Sequence, residues 1–140
     1  MDDFVEIVEV SPRDGIQNEL KILSLNTKLE LIQRGLDAGL RRFEVTSFVN
    51  PKRVPQMADA DQVAAGLPRT TDARFIGLTL NARGFNRAMA ANLDEANFVV
   101  VASDTFNQRN QGVTTQDSIN TFAQSKANGN GTIDMGITVA

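Results

Sequence analysis

Neither histidine nor cysteine occurs anywhere in the 140 residues. The missing cysteine excludes disulfides, thiolate metal sites and a thiol nucleophile within these residues. The missing histidine removes imidazole as a metal ligand and as the commonest general base, so chemistry here falls to carboxylates, arginine, lysine and hydroxyls. No apolar run approaches the ~20 residues that a bilayer-spanning helix needs, so no membrane partner is expected. Met1-Asp2-Asp3 shows neither the basic-then-apolar order of a secretory signal nor the arginine-rich pattern of a transit peptide, and a cytoplasmic protein is the expectation. An excess of positive charge is missing as well. The 14 Lys and Arg are scattered against 17 Asp and Glu, for a formal net charge of -3, which argues against nucleic acid as a partner. There is no G-x-G-x-x-G fingerprint after the first apolar run and no P-loop, which disfavours a dinucleotide-binding or P-loop domain.

What is present reads as one domain over residues 1–140, with 41% hydrophobic and 22% charged residues, typical of a globular chain. Val5, Ile7, Val8 and Val10 open a strand that Pro12 halts. Ser24 caps a helix carrying Leu25, Leu29, Ile32 and Leu36 on one face, and Gly39 closes it. Further strands are expected at 42–46, 74–80, 98–101 and 134–139, with helices at about 58–66, 83–91 after Asn81, and from Thr114 or Thr115 to the run Asn128-Gly129-Asn130-Gly131. Residues 103–113 read as polar loop. Five strands alternating with four helices indicate βαβ units on a parallel sheet, either a flavodoxin-like open sheet or the first part of a (β/α)₈ barrel. A full barrel takes about 250 residues, and a chain ending on an apolar strand without a closing helix leaves unpaired edges, so a partial TIM barrel is expected. A half-barrel that pairs with a second copy is the alternative.

Chemistry gathers where the first strand stops. Arg13, Asp14, Gly15 and Gln17 put a guanidinium, a carboxylate, a flexible turn residue and a carboxamide at a strand end, where α/β folds place their sites. Asp is a hard oxygen ligand suited to Mg²⁺ or Mn²⁺, and an adjacent Arg can stabilise a developing oxyanion. Glu44 alternates with Phe43 and Val45, so it points inward if those two pack under the helices. Lys52 and Arg53 are either a phosphate-attracting pair or a solvated surface. Asn81 is a helix cap first and a substrate contact second, and Ser103 either lines the site or bonds its own turn.

The stretches 8–19 (VEVSPRDGIQNE) and 43–52 (FEVTSFVNPK), the latter continuing through 54–59 (VPQMAD), resemble the 3-hydroxy-3-methylglutaryl-CoA lyase family, with weaker echoes at 80–85 and 103–110. Related condensing synthases share Arg-Asp-Gly, but Pro12 before it and Asn18-Glu19 after it favour the lyases. The resemblance implies a metal-dependent (β/α)₈ enzyme that cleaves 3-hydroxy-3-methylglutaryl-CoA to acetyl-CoA and acetoacetate and assembles as a homo-oligomer, a dimer. It implies Asp14 as a ligand of a divalent cation, Mg²⁺ or Mn²⁺, Arg13 at the enolate oxygen, Glu44 and Gln17 supporting the site, and Ser47 at the matching strand-end loop. Lys52, Asn81 and Ser103 join them as expected acyl-CoA contacts. The family completes its metal site with a His-x-His pair and protonates with a cysteine on later segments. Because neither residue type occurs here, the 140 residues alone are expected to be inactive.

Overall fold

The computed structural model describes residues 3–69 and 72–140; Met1 and Asp2 of the N-terminal stretch weighed above, with Thr70 and Thr71, lie outside the described residues. Helices α1 (Leu25–Asp37), α2 (Ala60–Gly66), α3 (Ala82–Ala90), α4 (Asp104–Gln111) and α5 (Thr115–Gly129) and strands β1 (Arg42–Ser47), β2 (Arg74–Thr79), β3 (Glu95–Val100) and β4 (Asp134–Val139) follow in the order α1-β1-α2-β2-α3-β3-α4-α5-β4. The four strands form one parallel sheet in the order β1-β2-β3-β4. Among the described residues no helix is long and apolar enough to cross a membrane.

Strand alternation sorts the sheet into two faces. Phe43, Val45, Phe75 and Ala96 turn to the helices and pack with Ile32, Val63, Phe85 and Leu93 into the core. The rings of Phe43 and Phe75 lie 6.1 Å apart on neighbouring strands. Glu44 faces the other way, as expected from its position between Phe43 and Val45. Three helix starts follow their sequence signals: Ser24, Asn81 and Thr114 each accept a main-chain N–H in the first turn of α1, α3 and α5. At the end of α5, Asn130 takes the left-handed conformation (φ 45°) that asparagine tolerates. Lys28 is buried on α1, where its ammonium bonds Asp59 at 2.7 Å and the carbonyl of Gln56, tying α1 to the loop before α2.

Two expectations are corrected. Residues 5–10 form no strand. A single parallel bridge, Glu9 with Phe43, is what remains of that expected first strand. The reason is lack of cover: Val5 is 80% and Ile7 66% exposed, so β-branched residues there gain nothing from a pleated conformation. The supposed loop at 103–113 is instead α4, capped by Ser103, whose hydroxyl accepts from Phe106 N at 3.3 Å. It escapes a periodicity reading because its buried anchor is polar: Asn107 is fully buried and donates to Ser118 Oγ at 2.9 Å. Strand β3 also starts three residues before the expected Phe98, its first half masked by the polar Glu95 and Asn97.

Candidate active site

The turn after the N-terminal stretch is built on one acceptor. The carbonyl of Val10 receives the N–H groups of Arg13, Asp14 and Gly15 at 3.0, 2.7 and 3.3 Å, winding residues Ser11–Gly15 into a single wide helical turn. Pro12 is buried under it, and Glu9 accepts from Ser11 N at 2.7 Å. This winding aims Arg13 across the polar face of the sheet. Its Nε donates to Glu44 Oε1 at 2.5 Å, and its Nη1 to Asp14 Oδ1 at 2.7 Å and to Gln17 Oε1 at 3.5 Å. Nη2 has no partner among the described residues.

Glu44 is buried, and its second oxygen accepts from Asn97 Nδ2 at 3.0 Å. Asn97 in turn exchanges hydrogen bonds with Thr138 at 3.1 and 3.2 Å. A row of polar side chains thus runs from the Arg13 turn over β1 and β3 to β4. A buried carboxylate needs such company, since an unpaired one would cost several kcal/mol. A second row lies nearer the strand starts, where Arg42 bonds Glu95 at 2.6 Å and Glu6 at 2.5 Å. The hydrogen bond to Glu95, then that to Glu6, hold the Arg42 guanidinium above its usual range.

At the C-terminal ends of the strands a cleft of about 660 Å³ opens beside Arg13. Gln17, Ser47 and Asn81 line it with Arg13, together with apolar Val49, Leu78, Leu80, Val99 and Phe106, and with Arg53, Asn110 and Ser118. Among the described residues no aspartate or glutamate lines it. Ser47 is 1% exposed and its hydroxyl has no hydrogen-bond partner. An orphaned buried hydroxyl in a cleft wall leaves bonding capacity for a ligand. Gly84 keeps the cleft's shoulder close: a Cβ there would sit 2.8 Å from the carbonyl of Phe48.

Four expected site residues, Arg13, Gln17, Ser47 and Asn81, therefore share one cleft, although Asn81 spends its carboxamide oxygen on Gly84 N at 2.9 Å. Glu44 stands behind Arg13 and is not itself among the residues that line the cleft. Lys52 is exposed and lies outside the lining, and Ser103 is occupied as the cap of α4. Asp14 lies at the outer side of the turn, with 61% of its side chain exposed and Oδ2 unpartnered among the described residues. No group of three or more histidine, cysteine, aspartate or glutamate side chains placed to hold a metal ion exists among the described residues, so these form no closed metal site. Asn97 and Thr138 escaped sequence reading. The one signal was a carboxamide directly before the apolar run 98–101.

A second cleft, of about 690 Å³, lies at the opposite ends of the strands, lined by Arg74, Asp94, Thr132 and Asp134 among others. Arg74 is ion-paired with Asp134, which raises its pKa, and Asp94 accepts from Phe75 N at 2.8 Å.

The HMGL-like family profile matches residues 4–128. The (R)-citramalyl-CoA lyase of Chloroflexus aurantiacus is 45% identical, over 87% of this chain and 42% of its own length. The cytoplasmic 3-hydroxy-3-methylglutaryl-CoA lyase of Homo sapiens is 41% identical, over 87% of this chain and 33% of its own length. An HMG-CoA lyase structure from Acinetobacter baumannii, in complex with coenzyme A and 3-methylmalate, superposes with a TM-score of 0.93 at 36% identity, covering 98% of this chain and 45% of that one. The chain spans less than half the length of each of these relatives. The fold is that of part of an α/β barrel.

Proposed function

Given that the chain belongs to the HMGL-like family, we propose that it forms part of a divalent-metal-dependent carbon–carbon lyase that cleaves 3-hydroxy-3-methylglutaryl-CoA to acetyl-CoA and acetoacetate. The observation that carries this reading is Arg13: three hydrogen bonds fix its guanidinium beside the C-terminal ends of the sheet strands while Nη2 is left unused, at the wall of a cleft that no aspartate or glutamate lines among the described residues. A donor fixed before substrate arrives needs no reorganisation when charge develops, which is what electrostatic catalysis requires.

In the reaction a base from outside these residues takes the proton of the tertiary hydroxyl, the C3–O bond becomes the ketone of acetoacetate as the bond between C2 and C3 breaks, and the electron pair of that bond moves to C2 and the thioester oxygen. Arg13 Nη2 donates to that oxygen as the enolate forms. Glu44 acts on Arg13 and not on substrate: it is a positioning residue that keeps the guanidinium in place and offsets its charge. Gln17 holds Nη1 from the other side, and the Ser47 hydroxyl donates to an oxygen of the acyl group. Asp14 would hold one side of a divalent cation, Mg²⁺ or Mn²⁺, which when bound supplies Lewis acidity to the substrate hydroxyl. Residues 1–140 act as one partial-barrel domain, and the remaining ligands and the acid that protonates the enolate are supplied from outside it.

The test is release of acetyl-CoA from 3-hydroxy-3-methylglutaryl-CoA by the protein as its gene encodes it, with Mg²⁺ or Mn²⁺ and with a chelator as control. Metal-dependent release supports the reading. Condensation of acetyl-CoA with a 2-oxo acid, without cleavage, would assign a synthase instead. (R)-Citramalyl-CoA is the second substrate to offer, because the relative named for it is 45% identical over 87% of this chain.

A further inference from the structure

The two arginines in the cleft wall are not equivalent. Arg13 has its charge met by Glu44 at 2.5 Å and Asp14 at 2.7 Å. Arg53, exposed on the loop after β1, makes no ion pair among the described residues; its Nη1 donates to the main-chain carbonyl of Asn110 in the last turns of α4. Both residues line the cleft, so this bond is a latch between two of its walls. With no carboxylate lining the cleft among the described residues, the charge of Arg53 is the less compensated of the two arginines there.

A carbonyl is a weak holder of a guanidinium. Carboxylate and phosphate oxygens meet it with a full opposite charge and can bond it in bidentate fashion. We propose that Arg53 is a ligand-binding residue that exchanges the carbonyl of Asn110 for an anionic group of the substrate, so that occupancy of the cleft and opening of the latch are one event. The inference rests on the acyl-CoA reading above. An acyl-CoA of this kind carries two suitable groups, the carboxylate of its acyl chain and the phosphates of coenzyme A, and both present paired anionic oxygens.

Calorimetry on the protein as its gene encodes it, with coenzyme A and 3-hydroxy-3-methylglutarate as separate probes, distinguishes them. In Arg53→Gln the Kd for one probe is expected to rise about tenfold, and Arg53→Lys should recover part of the loss. Melting curves should be unmoved, because the side chain is exposed. A loss confined to coenzyme A assigns the phosphates, and one confined to the free acid assigns the carboxylate; either supports the proposal. Equal Kd values for both probes in unmodified and Arg53→Gln protein overturn it while leaving the acyl-CoA reading intact. If neither probe binds the unmodified protein, both fall together.

Discussion

The two clefts at opposite ends of the sheet have nearly the same volume, about 660 Å³ at the C-terminal ends of the strands and about 690 Å³ at the N-terminal ends. Their bonding states differ. At the N-terminal end Arg74 is spent on Asp134 and Asp94 on the main chain of β2. At the C-terminal end Ser47 has no partner, Arg13 keeps one nitrogen free, and Arg53 rests on a neutral carbonyl. Unspent bonding capacity, more than volume, marks a site, because each buried polar group left unmatched costs stability that only a ligand can return.

The largest test of that contrast is a pair of substitutions. Arg13→Gln should lower kcat by on the order of 10²-fold, as loss of an oxyanion donor does. Arg74→Gln at the other cleft should leave turnover within about twofold, since it touches no reacting group. Equal losses in steady-state kinetics would dissolve the distinction. Glu44→Gln comes next: the isosteric amide keeps the shape but takes the charged acceptor from Arg13, and chemical denaturation should show about 1–3 kcal/mol of lost stability. Its kcat should fall while KM stays near that of the unmodified protein, which separates a positioning role from a merely structural one.

A smaller effect is expected at the Arg74–Asp134 pair itself. Both side chains are about half exposed or more, so Asp134→Asn should change stability by ~0–1 kcal/mol, read by the same denaturation curves. The smallest concerns pH. Asp117 closes the capping box of α5, where bonds from the hydroxyl and then the N–H of Thr114 hold its pKa below the ordinary 3.8. Asp104, bonded chiefly by the main-chain N–H of Thr115, is lowered likewise. A depressed carboxylate contributes stability that is fully present above its unfolded value and is lost as pH falls through the lower folded one. The α5 start should therefore loosen only below about pH 3.8. Carbon-13 titration of the Asp117 carboxylate with a midpoint at or above that value would refute the sign.

Much of this was legible in the sequence because it is local. Ser24, Asn81 and Thr114 announced helix starts through bonds that span three residues, and the apolar period of α1 named its buried face. The neighbouring Arg13, Asp14 and Gln17 were legible for the same reason, although the strand expected to precede them does not form. Contacts between distant residues were not. Nothing near Arg53 points to Asn110, 57 positions away, and nothing near Glu44 points to Asn97, 53 positions away. The run Val5–Val10 misled because strand propensity measures fit to a covered, pleated surface, and no such surface covers it here. In α4 the anchor was a buried carboxamide, which no apolar pattern records.

The polar row over the sheet also has a direction. Thr138 gives its hydroxyl hydrogen to Asn97, Asn97 gives an amide hydrogen to Glu44, and Arg13 gives one from the opposite side. Both bonds to Glu44 run toward its carboxylate, which accepts on both oxygens, while Asn97 also returns an amide hydrogen to Thr138. The orientation of the Asn97 amide then follows from chemistry without any choice, because its oxygen turned toward Glu44 would set two acceptors face to face. Asn97→Asp would impose that reversal permanently, and the row could close again only by capturing a proton.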